Sequence, residues 1–131
     1  MSYEKFVSYK KSIENDLKVD QFNIHNKINE IASLKHFWVA KLIESKIELK
    51  KLEKQKRELI KKVSEKTEVG LKLTQSSINN VISKSPVITE INENIEELEL
   101  IIEYLEKTEK IFSSMTYDLK NAIELMKLEQ L

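Results

Sequence analysis

From Ile24 to Val63 one register runs without a slip, in alternating steps of four and three: positions 24, 28, 31, 35, 38, 42, 45, 49, 52, 56, 59 and 63. Nine of these twelve are apolar, the exceptions being Lys35, Ser45 and Lys56. A 3.5-residue period sustained this long predicts one long helix with a coiled-coil seam. A second register runs 88, 91, 95, 98, 102, 105, 109, 112, 116, 119, 123 and 126, and ten of its twelve positions are apolar. The same predicted helix carries another apolar line through Ile101, Tyr104, Ile111, Met115 and Ala122. A single partner helix would not cover both lines.

Local signals set the expected boundaries. A short helix is predicted from about Tyr3 to Leu17, with Phe6, Ile13 and Leu17 on one side. Val19-Asp20 reads as the start of the long helix, Asp20 capping free N–H groups and Val19 stapling onto Ile24. That helix should end near Lys66–Thr67, ahead of Gly70. The stretch 74–84 is polar apart from Ile78, Val81 and Ile82, which predicts a short helix or an irregular connection. Ser85-Pro86 restarts a helix, serine as cap and proline at the first helical position.

A helix from Asp20 to Lys66 would be about 70 Å long, too long for a compact globule of this mass. The expected fold is therefore all-α: a long antiparallel, coiled-coil-like hairpin with a short N-terminal helix. Residues 1–70 would hold the N-terminal helix and a long basic helix, 71–85 the connection, and 86–131 an oligomerisation helix, all in one structural domain. The doubled apolar surface of the last helix leads us to expect an oligomer built on Ile101, Leu105, Ile111, Phe112, Met115, Leu119, Ile123 and Met126.

Composition narrows the class. The 131 residues include one glycine, one proline and no cysteine, and 34% are charged, as long helices require. Without cysteine there are no disulfides and no thiolate metal sites, which fits an intracellular protein. No apolar run approaches the roughly 20 residues of a membrane span, and the start MSYEKFVSYKK lacks a signal-peptide core. A soluble, cytoplasmic protein is the expectation. No Gly-rich phosphate loop, nucleophile–base constellation or metal-ligand spacing occurs, so neither catalytic nor metal residues nor a cofactor are expected.

Net charge is zero but unevenly distributed. Residues 35–66 hold eleven Lys or Arg against five Glu, whereas 86–109 hold eight Glu against one Lys. Within the basic segment, Lys46, Lys50, Lys54, Arg57 and Lys61 recur at helical spacing and form one stripe. Such a stripe suits a polyanion. It also suits internal neutralisation, because an antiparallel hairpin lays the Lys-rich end of one helix beside the Glu-rich start of the other. Among the aromatics, Trp38 falls in the seam and reads as core. Phe37 points away from the seam, His36 lies near the angle of the basic stripe, and His25 is a surface or boundary position.

These residues resemble the UvsY-type recombination mediators of T4-like bacteriophages. The resemblance runs without gaps from Val19-Asp20 through Leu34, Trp38 and Lys41 to LEKQKRELIKK at residues 52–62. In that segment Leu52-Glu53, Gln55-Lys56-Arg57 and Lys61 match the family's basic helical motif. Val63 stands where the motif has a further basic residue, which shifts the expected contact toward Lys62. Beyond residue 70 the likeness is one of helical pattern. The resemblance implies binding of single-stranded DNA and loading of a RecA-like recombinase onto strands coated with single-strand-binding protein. It also implies a ring of six or seven subunits assembled through the carboxy-terminal region. The expected DNA contacts are Lys46, Lys50, Lys54, Lys56, Arg57, Lys61 and Lys62, with Lys56 the one placed on the packing seam. The alternative is a non-enzymatic coiled-coil scaffold whose charges only solubilise and align the helices.

Overall fold

The computed structural model describes residues 3–68 and 74–130, and the side chains of all of these except 66–68. Gly70 lies outside the described residues. The elements are α1 (Glu4–Asp16), α2 (Ile24–Glu68), α3 (Gln75–Lys84) and α4 (Pro86–Glu129). The long helices α2 and α4 pack along each other as an antiparallel hairpin, and α1 and α3 fold back onto it. Every position of both predicted registers is buried or half-buried, including Lys35, Ser45 and Lys56. Ser45 is tolerated inside because its hydroxyl donates to the Lys41 carbonyl (2.9 Å), so this buried hydroxyl is not left unpaired.

The core is not uniform along the hairpin. Ile24, Ile31, Trp38 and Leu42 of α2 are buried against Ile101, Leu105, Phe112, Met115 and Leu119 of α4, with Ile13 of α1 completing the cluster. From Leu49 onward the α2 seam is only half-buried, although Ile88, Ile91, Ile95 and Leu98 of α4 remain buried there. The short helix α3 packs on both long helices through Ile78. Its start is capped by Thr74, whose hydroxyl accepts from the Ser77 N–H (3.2 Å).

Helix α1 lies in the groove between α2 and α4, held by aromatic edges and partly buried hydrogen bonds. Phe6 meets Tyr104 edge-on at 5.2 Å between ring centroids, and Tyr9 meets Trp38 at 5.6 Å. The Trp38 indole Nε1–H donates to the Asp16 carboxylate (2.8 Å), and Lys27 Nζ donates to the Asp16 carbonyl (2.9 Å). At the other end Lys5 pairs with Glu48 (3.0 Å). Partial burial acts to lower the Lys5 pKa, but the Glu48 hydrogen bond and the fields of Tyr9, Glu48 and Glu97 outweigh it and hold the ammonium above its ordinary range. This partly exposed pair contributes little to stability beside the aromatic contacts.

Three sequence expectations change in detail. Helix α2 begins at Ile24 rather than at Asp20. Asp20 Oδ1 accepts from the N–H groups of Phe22 (2.7 Å) and Asn23 (3.0 Å), while Asn23 Oδ1 accepts from the Asp20 N–H (2.8 Å). Asp20 thus caps a turn ahead of the helix. Ser85 occupies the cap of α4, but its side chain makes no capping bond; its carbonyl accepts from the N–H (3.0 Å) and hydroxyl (2.9 Å) of Thr89 instead. The third change concerns the expected oligomer contacts. Ile101, Leu105, Phe112, Met115 and Leu119 lie in the chain's own core, Ile123 and Met126 are half-buried against it, and only Ile111 is exposed. The second apolar line on α4 is covered in part by α1, through Phe6 on Tyr104.

Asp16→Ala would strand the indole N–H of the buried Trp38. A stranded buried donor costs about 1–3 kcal/mol, so urea unfolding should show a loss of that size. An unchanged midpoint would mean that the Asp16 bond does not hold α1 in place.

Candidate nucleic-acid interface

The seam fixes where the cations point. At 100° per residue, Lys50, Lys54, Arg57 and Lys61 project roughly 120–180° around α2 from Ser45 on the seam. All four are exposed, and they span about 16 Å along the helix at 1.5 Å per residue. Lys46 is the stripe's inner margin and is tied down: its Nζ lies 3.2 Å from Glu106 Oε1 on α4. One further pair, Lys35 to Glu109 (3.5 Å), joins the long helices. Among the described residues, none of the six ion pairs involves Lys50, Lys54, Lys56, Arg57, Lys61 or Lys62. Internal neutralisation therefore reaches Lys35 and Lys46 and stops there.

The remaining expected contacts divide by position. Lys56 is half-buried on the seam. Lys62 is exposed, but lies roughly 100° around the helix from Lys61. It shares its flank with Lys51, eleven residues earlier and also exposed, which the stripe pattern passed over. The structure thus brings Lys50, Lys54, Arg57 and Lys61 onto one free face and sets Lys46, Lys56 and Lys62 apart from it. Glu53, half-buried, and Glu58, exposed, border this face on either side.

The aromatics give this face no stacking platform. Trp38 is buried. Phe37 is half-exposed but packs edge-on against Trp38 at 4.9 Å, with the Lys41 ammonium 5.4 Å from its ring centroid, on the flank away from the stripe. His36 is exposed near the stripe's angle. What the face offers a strand is charge for the phosphate backbone, without base-edge readout. Among the described residues no group of His, Asp and Glu is arranged to hold a metal ion, and no helix is long and apolar enough to cross a membrane.

The sequence profile of a family described as "Recombination, repair and ssDNA binding protein UvsY" matches residues 12–130. The crystal structure of the bacteriophage T4 recombination mediator protein UvsY superposes with a TM-score of 0.80 over 98% of this chain and 99% of that one, at 14% identity. At that identity the superposition establishes the shared fold. No curated protein aligns significantly with the chain.

Glu106→Gln would release Lys46 to join the free cations. Each phosphate contact on a single strand adds about 0.7 to the slope of log affinity against log salt. The variant should therefore bind an oligodeoxynucleotide more tightly at low salt and with a steeper slope. An unchanged slope would show that Lys46 lies outside the binding face.

Proposed function

Because the chain belongs to the UvsY family of recombination, repair and ssDNA-binding proteins, we propose that it is a recombination mediator: it binds single-stranded DNA and promotes loading of a RecA-like recombinase onto strands coated with single-strand-binding protein. The observation that carries the DNA-binding assignment is the exposed face of Lys50, Lys54, Arg57 and Lys61, which the acidic helix beside it does not neutralise. Lys56 on the seam and Lys62 on another flank lie off this face, and Lys46 is paired with Glu106. The action is mechanical and non-enzymatic. A strand held along the basic face is bent away from the path the coating protein imposes, so that protein's grip weakens and recombinase nucleates on the exposed DNA.

One such face binds weakly, because Glu53 and Glu58 border it. Several copies on one assembly gain through effective concentration, and we take the working form to be a homo-oligomer, a ring of six or seven. Of the expected α4 contacts, Ile111 is exposed and Ile123 and Met126 are half-buried, and Leu100 adds a further exposed apolar side chain on the same helix. Recombinase and single-strand-binding protein are the further partners, and the setting is the cytoplasm in which a phage genome recombines.

The test is titration of a labelled oligonucleotide, single- and double-stranded, across a salt series. Single-stranded DNA should bind preferentially, with affinity falling steeply as salt rises. Replacing Arg57 and Lys61 with alanine should lower the log–log salt slope by about 1.4, at about 0.7 per lost contact, and leave the unfolding midpoint unchanged. No binding at low salt would leave an assembly scaffold; wild-type binding by the double variant would place the DNA elsewhere.

A further inference from the structure

Two apolar surfaces face solvent on opposite sides of the hairpin. On the outer side of α2, Ile43 and Ile47 are each 49% exposed, with Val39 and Ala40 half-buried beside them. On the far side, α1 and α4 enclose an open groove of about 520 Å³ lined by Tyr3, Phe6, Val7, Leu100 and Tyr104, with Glu103 and Lys107 at its edge. Val7 is 57% and Leu100 46% exposed there. Adjacent apolar side chains left in water on both faces are an interaction surface in search of a cover.

The sequence order along the two helices says what the cover is. Read toward its C-terminus, α2 presents Ile43, Ile47, Lys50 and Lys54 in steps of four, three and four. Read toward its N-terminus, α4 presents Tyr104, Leu100, Glu96 and Glu93 in steps of four, four and three. Both series run eleven residue steps along one helix face, apolar then charged, and the charges are opposite. Glu96 and Leu100 line the same recess with Tyr3, and Glu93 is exposed one turn further on. Glu93 and Glu96 take part in none of the ion pairs among the described residues.

We propose that the outer face of α2 docks antiparallel into the α1–α4 groove of a second copy of this chain, with Ile43 and Ile47 against Tyr104 and Leu100, and Lys50 and Lys54 against Glu96 and Glu93. Since α2 and α4 are antiparallel within the chain, the two copies lie side by side and point the same way. The two surfaces differ, so the contact is heterologous and repeats from copy to copy until a ring closes or a filament grows. The neighbour thereby shapes the DNA site. Its glutamates occupy Lys50 and Lys54. Arg57 and Lys61 lie opposite the stretch 86–90, where Pro86 and Thr89 offer no charge and the single glutamate, Glu90, sits roughly 60° around α4 from Glu93. The DNA-contacting part of the stripe in the assembly is thus Arg57 and Lys61. The inference rests on the self-association in the proposed function and not on its DNA binding.

The chain has no cysteine, which permits a direct test in the absence of DNA. Ile47→Cys and Leu100→Cys are placed in one chain, where they face opposite directions, and the full-length protein is mildly oxidised and run without reductant. The double variant should give a ladder of linked chains, at least tenfold more product than either single variant. Lys61→Cys with Leu100→Cys, about 20 Å out of register at 1.5 Å per residue, should give none. A dimer from either single variant would mean a two-fold contact and overturn the proposal. So would a ladder from the out-of-register pair, or the absence of linkage in all of them. Because DNA is never added, failure here leaves the salt titration of Arg57 and Lys61 unaffected.

Discussion

The register in which α2 meets α4 decides almost everything else about this molecule. A 3.5-residue repeat held over twelve positions on each helix fixes which face of each is covered. That choice points the stripe from Lys50 to Lys61 away from the acidic helix. A register shifted by a residue or two would swing the lysines toward the glutamates and leave no free basic face. Charge plays little part in setting the register. Only two ion pairs cross between the long helices, both partly exposed, and such pairs contribute at most about 1 kcal/mol each. Burying the ring of Phe112 alone outweighs them, since deleting a buried aromatic side chain costs about 3–5 kcal/mol.

Packing and binding are separated along the length of the hairpin as well as around it. The well-buried end, where α1 locks onto Trp38 and Tyr104, supplies the stability. The end beyond Leu49 is more thinly covered, with α3 rather than α1 as the third element. A long helix anchored firmly at one end can carry a row of like charges at the other, where mutual repulsion adds a cost that local packing would not offset. Placing the cations together on one helix also fixes their spacing, which would lower the ordering cost of binding a strand in the proposed interface.

Much of this was legible in the sequence because it is periodic. The two registers, the hairpin and the basic stripe all follow from repeats of three and four residues, and the structure buries even Lys35, Ser45 and Lys56 at their register positions. What escaped was non-periodic or non-local. An amphipathic α1 announces that it must pack but not where, so Ile101 and Met115 read as free for other chains when they belong to the core beneath it. The tether on Lys46 depends on a glutamate sixty residues away. Asp20 has the chemistry of a cap, yet whether it caps a helix or the turn before one is settled by Asn23, whose carboxamide answers it. Lys51 fell outside a pattern defined by one stripe, although its exposure puts it beside Lys62.

In the proposed geometry the strand lies at the end of the α2 stripe, at Arg57 and Lys61, and not on the lysines tied to α4. Lysine-specific labelling read by mass spectrometry, with and without a saturating single-stranded oligonucleotide, tests it in the unmodified protein. Lys61 should label several-fold more slowly when DNA is bound, while Lys35 and Lys46 keep their rates. Protection of Lys35 and Lys46 without protection of Lys61 would contradict the account and place the DNA against the seam between the long helices.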